Sequence, residues 1–243
     1  MEMLSASFLA SLAQIMLVNI VLSGDNAVVI AMAARNLPPQ YQRKAVLWGS
    51  AGAIVLRVVL TVVAVWLLQV PFLQCLGGLL LLWIALQLLT EEDGEEGEHK
   101  AQDGLMGAVK TILIADVVMS LDNTLAIAGV AKGNWTLLIV GLALSIPLIV
   151  LGSTVIMKIM DRFPIVVYVG AALIAWTAGE MIDSDPAVQP WLPHVLHGIV
   201  LPMVLTVAVV GFGWFANHQK KRSAHDVLEA DKQAALRIED ALE

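Results

Sequence analysis

Apolar residues fall along this chain in long unbroken runs rather than in the alternating patterns of a soluble fold. Seven runs approach the roughly 20 residues a membrane-spanning helix needs. They cover about Phe8 to Ala34, Ala45 to Leu68, Phe72 to Leu89, Leu105 to Ala131, Trp135 to Met157, Ile165 to Ile182 and Val195 to Phe215. The pattern predicts an all-α membrane protein with seven transmembrane helices.

The interruptions are more informative than the runs. Inside the first lies Asn19-Ile20-Val21-Leu22-Ser23-Gly24-Asp25-Asn26, and inside the fourth Asp116-Val117-Val118-Met119-Ser120-Leu121-Asp122-Asn123. In both, a polar residue is followed four positions on by Ser, six on by Asp and seven on by Asn. Arg35 and Lys132 keep the same offset. Later in each half, Pro71-Phe72 answers Phe163-Pro164, Gly77 answers Gly170, and Trp83 and Gln87 answer Trp176 and Glu180. Three helices per unit means that the second unit enters the bilayer from the opposite side. The expected plan is two inverted three-helix repeats plus a seventh helix, with an ion site near the midplane. Residues 1–90 form the first unit, 91–104 an acidic cytoplasmic loop and 105–183 the second, inverted unit. An outer loop and the seventh helix occupy 184–216, and a cytoplasmic tail 217–243.

Composition agrees with a bilayer: 58% of residues are hydrophobic, 14% are charged, and mean hydropathy is +0.80. The net charge of −7 collects at run edges and in the acidic stretch 91–98, and no basic stripe points to nucleic acid. The single cysteine, Cys75, reads as a packing residue. Lys and Arg crowd the loops after the first, third and fifth helices, and the triplet Lys220-Lys221-Arg222 opens the tail. The positive-inside rule then puts the N-terminus outside and the C-terminus in the cytoplasm. The tail reads as a short, weakly amphipathic helix, and Pro147 and Pro202 as kinks in the fifth and seventh helices.

Helical geometry puts Asn19, Ser23 and Asn26 on one stripe, and Asp116, Ser120 and Asn123 on another. Asp25 and Asp122 stand on the flanks. Facing each other, the stripes would supply three carboxylates, three carboxamides and two hydroxyls. These hard oxygen ligands suit Mn²⁺, Mg²⁺ or Ca²⁺, and no histidine lies in the first six helices to favour Zn²⁺ or Cu⁺. Arg57, midway along the second helix, should pair with a carboxylate, Asp25 or Asp122, as a static partner or as a mobile counter-charge. Glu180, close to Asp183 and Asp185, is a candidate for the outer exit.

Ser23-Gly24-Asp25-Asn26 and Ser120-Leu121-Asp122-Asn123, in duplicated three-helix units followed by a seventh helix, resemble the TerC family of bacterial integral membrane proteins, within the LysE-like transporter group. The resemblance spans about residues 10–215. It implies manganese export across the inner membrane, with Asp25, Asp116 and Asp122 as the acids that carry the ion. Asn19, where the second half has Asp116, departs from members with an acid in both stripes. No G-x-x-x-x-G-K-[ST] motif is present, so an ion gradient, proton antiport first, would drive export. The expectation is therefore a non-enzyme: a secondary transporter with no tightly bound cofactor and Mn²⁺, Ca²⁺ or another divalent cation as cargo. Its partners would be the lipid bilayer and that cation, with a homo-oligomer left open. Two competing readings are an assembly or insertion factor for membrane proteins and an intramembrane aspartyl protease. The protease lacks its expected G-x-G-D context.

Overall fold

The computed structural model describes residues 12–17, 24–67, 70–90, 98–131 and 135–240. Among them every regular element is helical: α1 (Gly24–Arg35), α2 (Pro39–Leu67), α3 (Leu73–Thr90), α4 (Glu98–Ala131), α5 (Trp135–Arg162), α6 (Ile165–Ser184) and α7 (Val200–Asp240). Residues 12–17 are helical as well, and two 3₁₀ turns, Gln189–Trp191 and His194–Leu196, join α6 to α7. Six stretches within the described residues are long and apolar enough to cross a membrane, one in each of α2 to α7. The first expected run lies partly outside the described residues, and α1 is its final part.

Turn chemistry sets the boundaries. Pro39 opens α2 at a position where a missing amide costs nothing, and the Gln42 side chain donates to the Arg35 carbonyl at the end of α1 (2.9 Å). Arg35 itself reaches α3, donating to the Leu88 carbonyl at 3.3 Å. Before α3, Phe72 adopts φ 62°, and α5 and α6 are separated only by Phe163-Pro164. Helix α5 continues through Pro147, which lies inside it. Two sequence expectations change. Pro202 sits in the first turn of α7, where it removes no helical hydrogen bond, and it packs against Gly179 so closely that a Cβ there has no room. The tail is no separate helix, because α7 continues from Val200 to Asp240.

Helix α1 is the centre. Every residue from Asn26 to Ala34 is buried, as expected for a helix apolar on all sides, and it touches α2, α4, α5 and α6. Around it, α2 packs on α4, α3 on α6, and α7 on α6 and α3. Small residues make these contacts, since between helices in lipid close van der Waals approach replaces the hydrophobic drive. A Cβ on Gly49 would come within 2.8 Å of Ile112 Cδ1, and one on Gly52 within 2.8 Å of Leu113 Cδ2, so the two glycines seat α4 against α2. Gly77 of α3 leaves room for Val118 of α4, and Gly170 of α6 for Val28 and Met32 of α1. Large apolar side chains such as Trp83, Leu151 and Val207 point outward, the arrangement a bilayer rewards.

Candidate functional site

The α2–α4 contact carries an arginine into the interior. Arg57 is 2% exposed; its Nη2 donates to Asp116 Oδ1 at 2.5 Å and its Nε to Ser120 Oγ at 3.0 Å. The Ser120 hydroxyl in turn donates to Asp116 Oδ2 at 3.3 Å, one helical turn away. Asp116 is 6% exposed and Ser120 fully buried. Taking two ions out of water is costly, and the close contact between them offsets part of that cost. The sequence pointed to Asp25 or Asp122 as partner for Arg57. Asp116 is a partner it did not name, brought there because Gly49 and Gly52 let α4 approach the face of α2 that carries Arg57. Asp25 lies within electrostatic reach, and the Asp122 side chain lies outside the described residues.

On the other side of Asp116 lies α1. Asn26, Val29, Ile30, Ile112 and Asp116 enclose a void of about 10 Å³, room for one water-sized occupant. The Asn26 side chain is buried, and neither its Nδ2 nor its Oδ1 has a hydrogen-bond partner among the described residues. A buried carboxamide normally makes such bonds, and leaving it without them is costly. Here it faces a void shared with a carboxylate. Asp25, next to it and half-buried, accepts the Asn26 backbone amide on Oδ1 (2.8 Å) and lies within electrostatic reach of Arg57 and Asp116.

Of the residues singled out in the sequence, Asp25, Asn26, Asp116, Ser120 and Arg57 thus occupy one region. Asn19 and Ser23 lie outside the described residues, as do the side chains of Asp122 and Asn123. Among the described residues no three His, Cys, Asp or Glu side chains form a ready-made metal cluster. What the region offers is oxygen from two carboxylates and a carboxamide, which fits a hard cation.

The outer acids behave otherwise. Glu180 is exposed and accepts a hydrogen bond from Trp176 Nε1 on its own helix (2.8 Å). Asp183 meets His197 Nδ1 and the Gly198 amide, both at 2.9 Å. Asp185, 1% exposed, accepts the Cys75 amide in the first turn of α3 (3.0 Å) and the Ala187 amide (2.8 Å). Asp185 is therefore the N-terminal cap of a helix more than a hundred residues earlier, a role that no local sequence signal announces.

Comparison with known proteins gives a consistent answer. The family model for the integral membrane protein TerC family matches residues 4–224. The chain is similar to membrane protein YjbE of Bacillus subtilis (strain 168), 42% identical over 206 residues that cover 84% of this chain and 93% of the relative. Membrane protein YceF of the same organism is 26% identical over 198 residues, covering 78% and 76%. Inner membrane protein YgdQ of Escherichia coli (strain K12) is 24% identical over 225 residues, covering 85% and 92%. No solved structure matches.

Proposed function

The chain belongs to the TerC family of integral membrane proteins, and we propose that it is a secondary transporter exporting a divalent metal cation, Mn²⁺ foremost, in exchange for protons. Asp25, Asn26 and Asp116 supply the ligands on the described side of the site. Asn19, Ser23, Ser120, Asp122 and Asn123 complete the two polar stripes. The observation that carries this reading is the buried Asn26 carboxamide, which has no hydrogen-bond partner among the described residues and stands beside a void that Asp116 also lines. A bare Mn²⁺ is smaller than a water molecule, and it would take the carboxamide oxygen as a ligand.

The membrane plan belongs to the same proposal: seven spans, two inverted three-helix units, N-terminus outside and C-terminus cytoplasmic. Reciprocal packing supports it. The second helix of the first unit, α2, packs on α4, the first of the second; α5 packs on α1 in return. Likewise α3 touches α4, and α6 touches α1. Rocking one unit against the other would then open the acids to each side in turn. Metal binding requires ionised carboxylates, so protonation releases the metal, and a proton gradient can drive export.

The test is transport by the purified protein in lipid vesicles, with Mn²⁺, Ca²⁺, Mg²⁺ and Cd²⁺ compared and a pH gradient imposed. We expect Mn²⁺ movement that the gradient accelerates, and its loss in Asp25→Asn and Asp122→Asn. Transport indifferent to the gradient would remove the proton antiport and keep the cargo. Normal transport in both variants would move the site elsewhere.

A further inference from the structure

The helix contacts provide a register between the two units that the polar stripes do not. Gly49 of α2 is pressed against Ile112 of α4, and Gly141 of α5 is pressed in the same way against Ile15. Ile15 and Ile112 stand at the offset that also relates Asn19 to Asp116 and Ser23 to Ser120. The two glycines therefore occupy equivalent places, which aligns α2 with α5. In that register buried Ser50, Ala53 and Thr61 fall on buried Leu142, Ser145 and Ser153. Arg57 falls on Ile149, which is also buried, at 9% exposed.

The consequence concerns charge. Where the first unit has Asn19 in place of Asp116, the second has Ile149 in place of Arg57. Both members of the ion pair are present at one of the two equivalent positions and both are missing at the other. Helix packing alone does not require the arginine, because the equivalent place is filled by an isoleucine at the same depth. The guanidinium goes with the carboxylate.

We propose that Arg57 is a resident cation that neutralises Asp116 when no metal is bound, and that the transported divalent cation displaces it. This rests on the reading of Asp116 as a metal ligand. The Asp116 oxygens that Arg57 and Ser120 engage are the ones a metal would need, and the void that Asp116 shares with Asn26 is lined, among the described residues, by side chains of α1 and α4. An ion entering there draws Asp116 off Arg57. When the ion leaves, the guanidinium returns, so the buried acid is never left bare. The competition weakens metal binding and thereby permits release. A resident cation at one equivalent position alone makes the site intrinsically one-sided.

The full-length protein in lipid nanodiscs tests this, with Mn²⁺ binding read from the free-ion paramagnetic resonance signal and turnover measured in vesicles. Removing the competitor in Arg57→Gln should tighten Mn²⁺ binding about tenfold or more, while turnover falls by a similar factor, so that KM and kcat drop together. Added Mn²⁺ should also raise the Tm of this variant more than that of the wild type. Arg57→Lys, which keeps a charge but loses the two-donor fork, should shift affinity in the same direction by less. A purely structural pair predicts affinity unchanged or weakened in both variants, and that result would overturn the proposal. If neither variant folds, infrared difference spectra of wild-type protein with ¹⁵N-labelled arginine decide the matter. Guanidinium bands that move on Mn²⁺ addition support displacement, and bands that stay fixed refute it. Wild-type protein that binds no Mn²⁺ would overturn the transport reading as well, whereas wild-type binding with unchanged affinity in the variants overturns only the role of Arg57.

Discussion

Two groups of acids in this molecule have opposite characters. At the outer end of α6, Asp183 and Asp185 are held by backbone amides, two on Asp185 and one on Asp183, with His197 completing the latter. In the middle of the bundle, Asp116 is held by side chains of two helices, and beside it the Asn26 carboxamide has no partner among the described residues. The first group is held mainly by backbone amides of the α3 start and of the turns between α6 and α7. The second is satisfied by the side chains of Arg57 and Ser120 and borders a void. A buried carboxylate therefore does not mark a site by its burial. Partners that are side chains rather than backbone amides, and the presence of an unsatisfied neighbour, distinguish a ligand from a cap.

The largest effect expected from this contrast comes from cutting the central pair on its acid side. Asp116→Asn takes a carboxylate away from the buried, charged Arg57, which should destabilise the protein by about 3–5 kcal/mol and abolish metal binding. Adding Arg57→Ile recreates the neutral combination of Asn19 and Ile149. It should recover most of the stability while leaving binding lost. Thermal unfolding in nanodiscs, with and without Mn²⁺, reads both. If Asp116→Asn alone is as stable as wild type, Arg57 finds compensation elsewhere, and the contrast between the two acidic groups weakens.

Much of this was legible in the sequence, for physical reasons that also explain what was not. A spanning helix needs one long apolar run, and that property is local, so the spans in α2 to α7 fall where the runs do. The intramembrane acids were equally visible, because a charge in such a run is costly wherever its neighbours turn out to be. Pairing was another matter. Which acid meets Arg57 depends on the register of α2 against α4, and Gly49 and Gly52 set it through Ile112 and Leu113. A glycine in an apolar run gives no sign of which helix will fill its notch. The role of Asp185 was hidden because it caps a helix distant in sequence. Pro202 was misplaced because the start of α7 is fixed by the loop before it rather than by its own apolar pattern.

The outer group supplies the intermediate effect. Asp185→Ala strips the carboxylate from the Cys75 and Ala187 amides and should cost about 1–2 kcal/mol, the usual range for a lost helix cap. Mn²⁺ affinity and the response to a pH gradient should not change, since neither amide lies near Asn26 or Asp116. A loss of affinity at undiminished stability would show that the cap and the central site are coupled through α3 and α6, and the two groups would no longer be separable.

Glu180 gives the smallest effect and the sharpest boundary. It is the acid nearest the capped group along α6, yet it is exposed, and Trp176 Nε1, one turn earlier on the same helix, donates to it. Glutamine preserves a carbonyl oxygen for that indole, so Glu180→Gln should keep stability within about half a kcal/mol of wild type, the ordinary range for an exposed position. Export should be unchanged as well: the carboxylate is bonded along its own helix and not across the interface between the units. Vesicle transport at metal concentrations below half-saturation is the sensitive measurement, because an acid that gathers ions at an exit acts on their local concentration. A selective fall in rate there, with the rate at saturation intact, would put Glu180 on the ion's path and add a third class of acid, neither cap nor ligand.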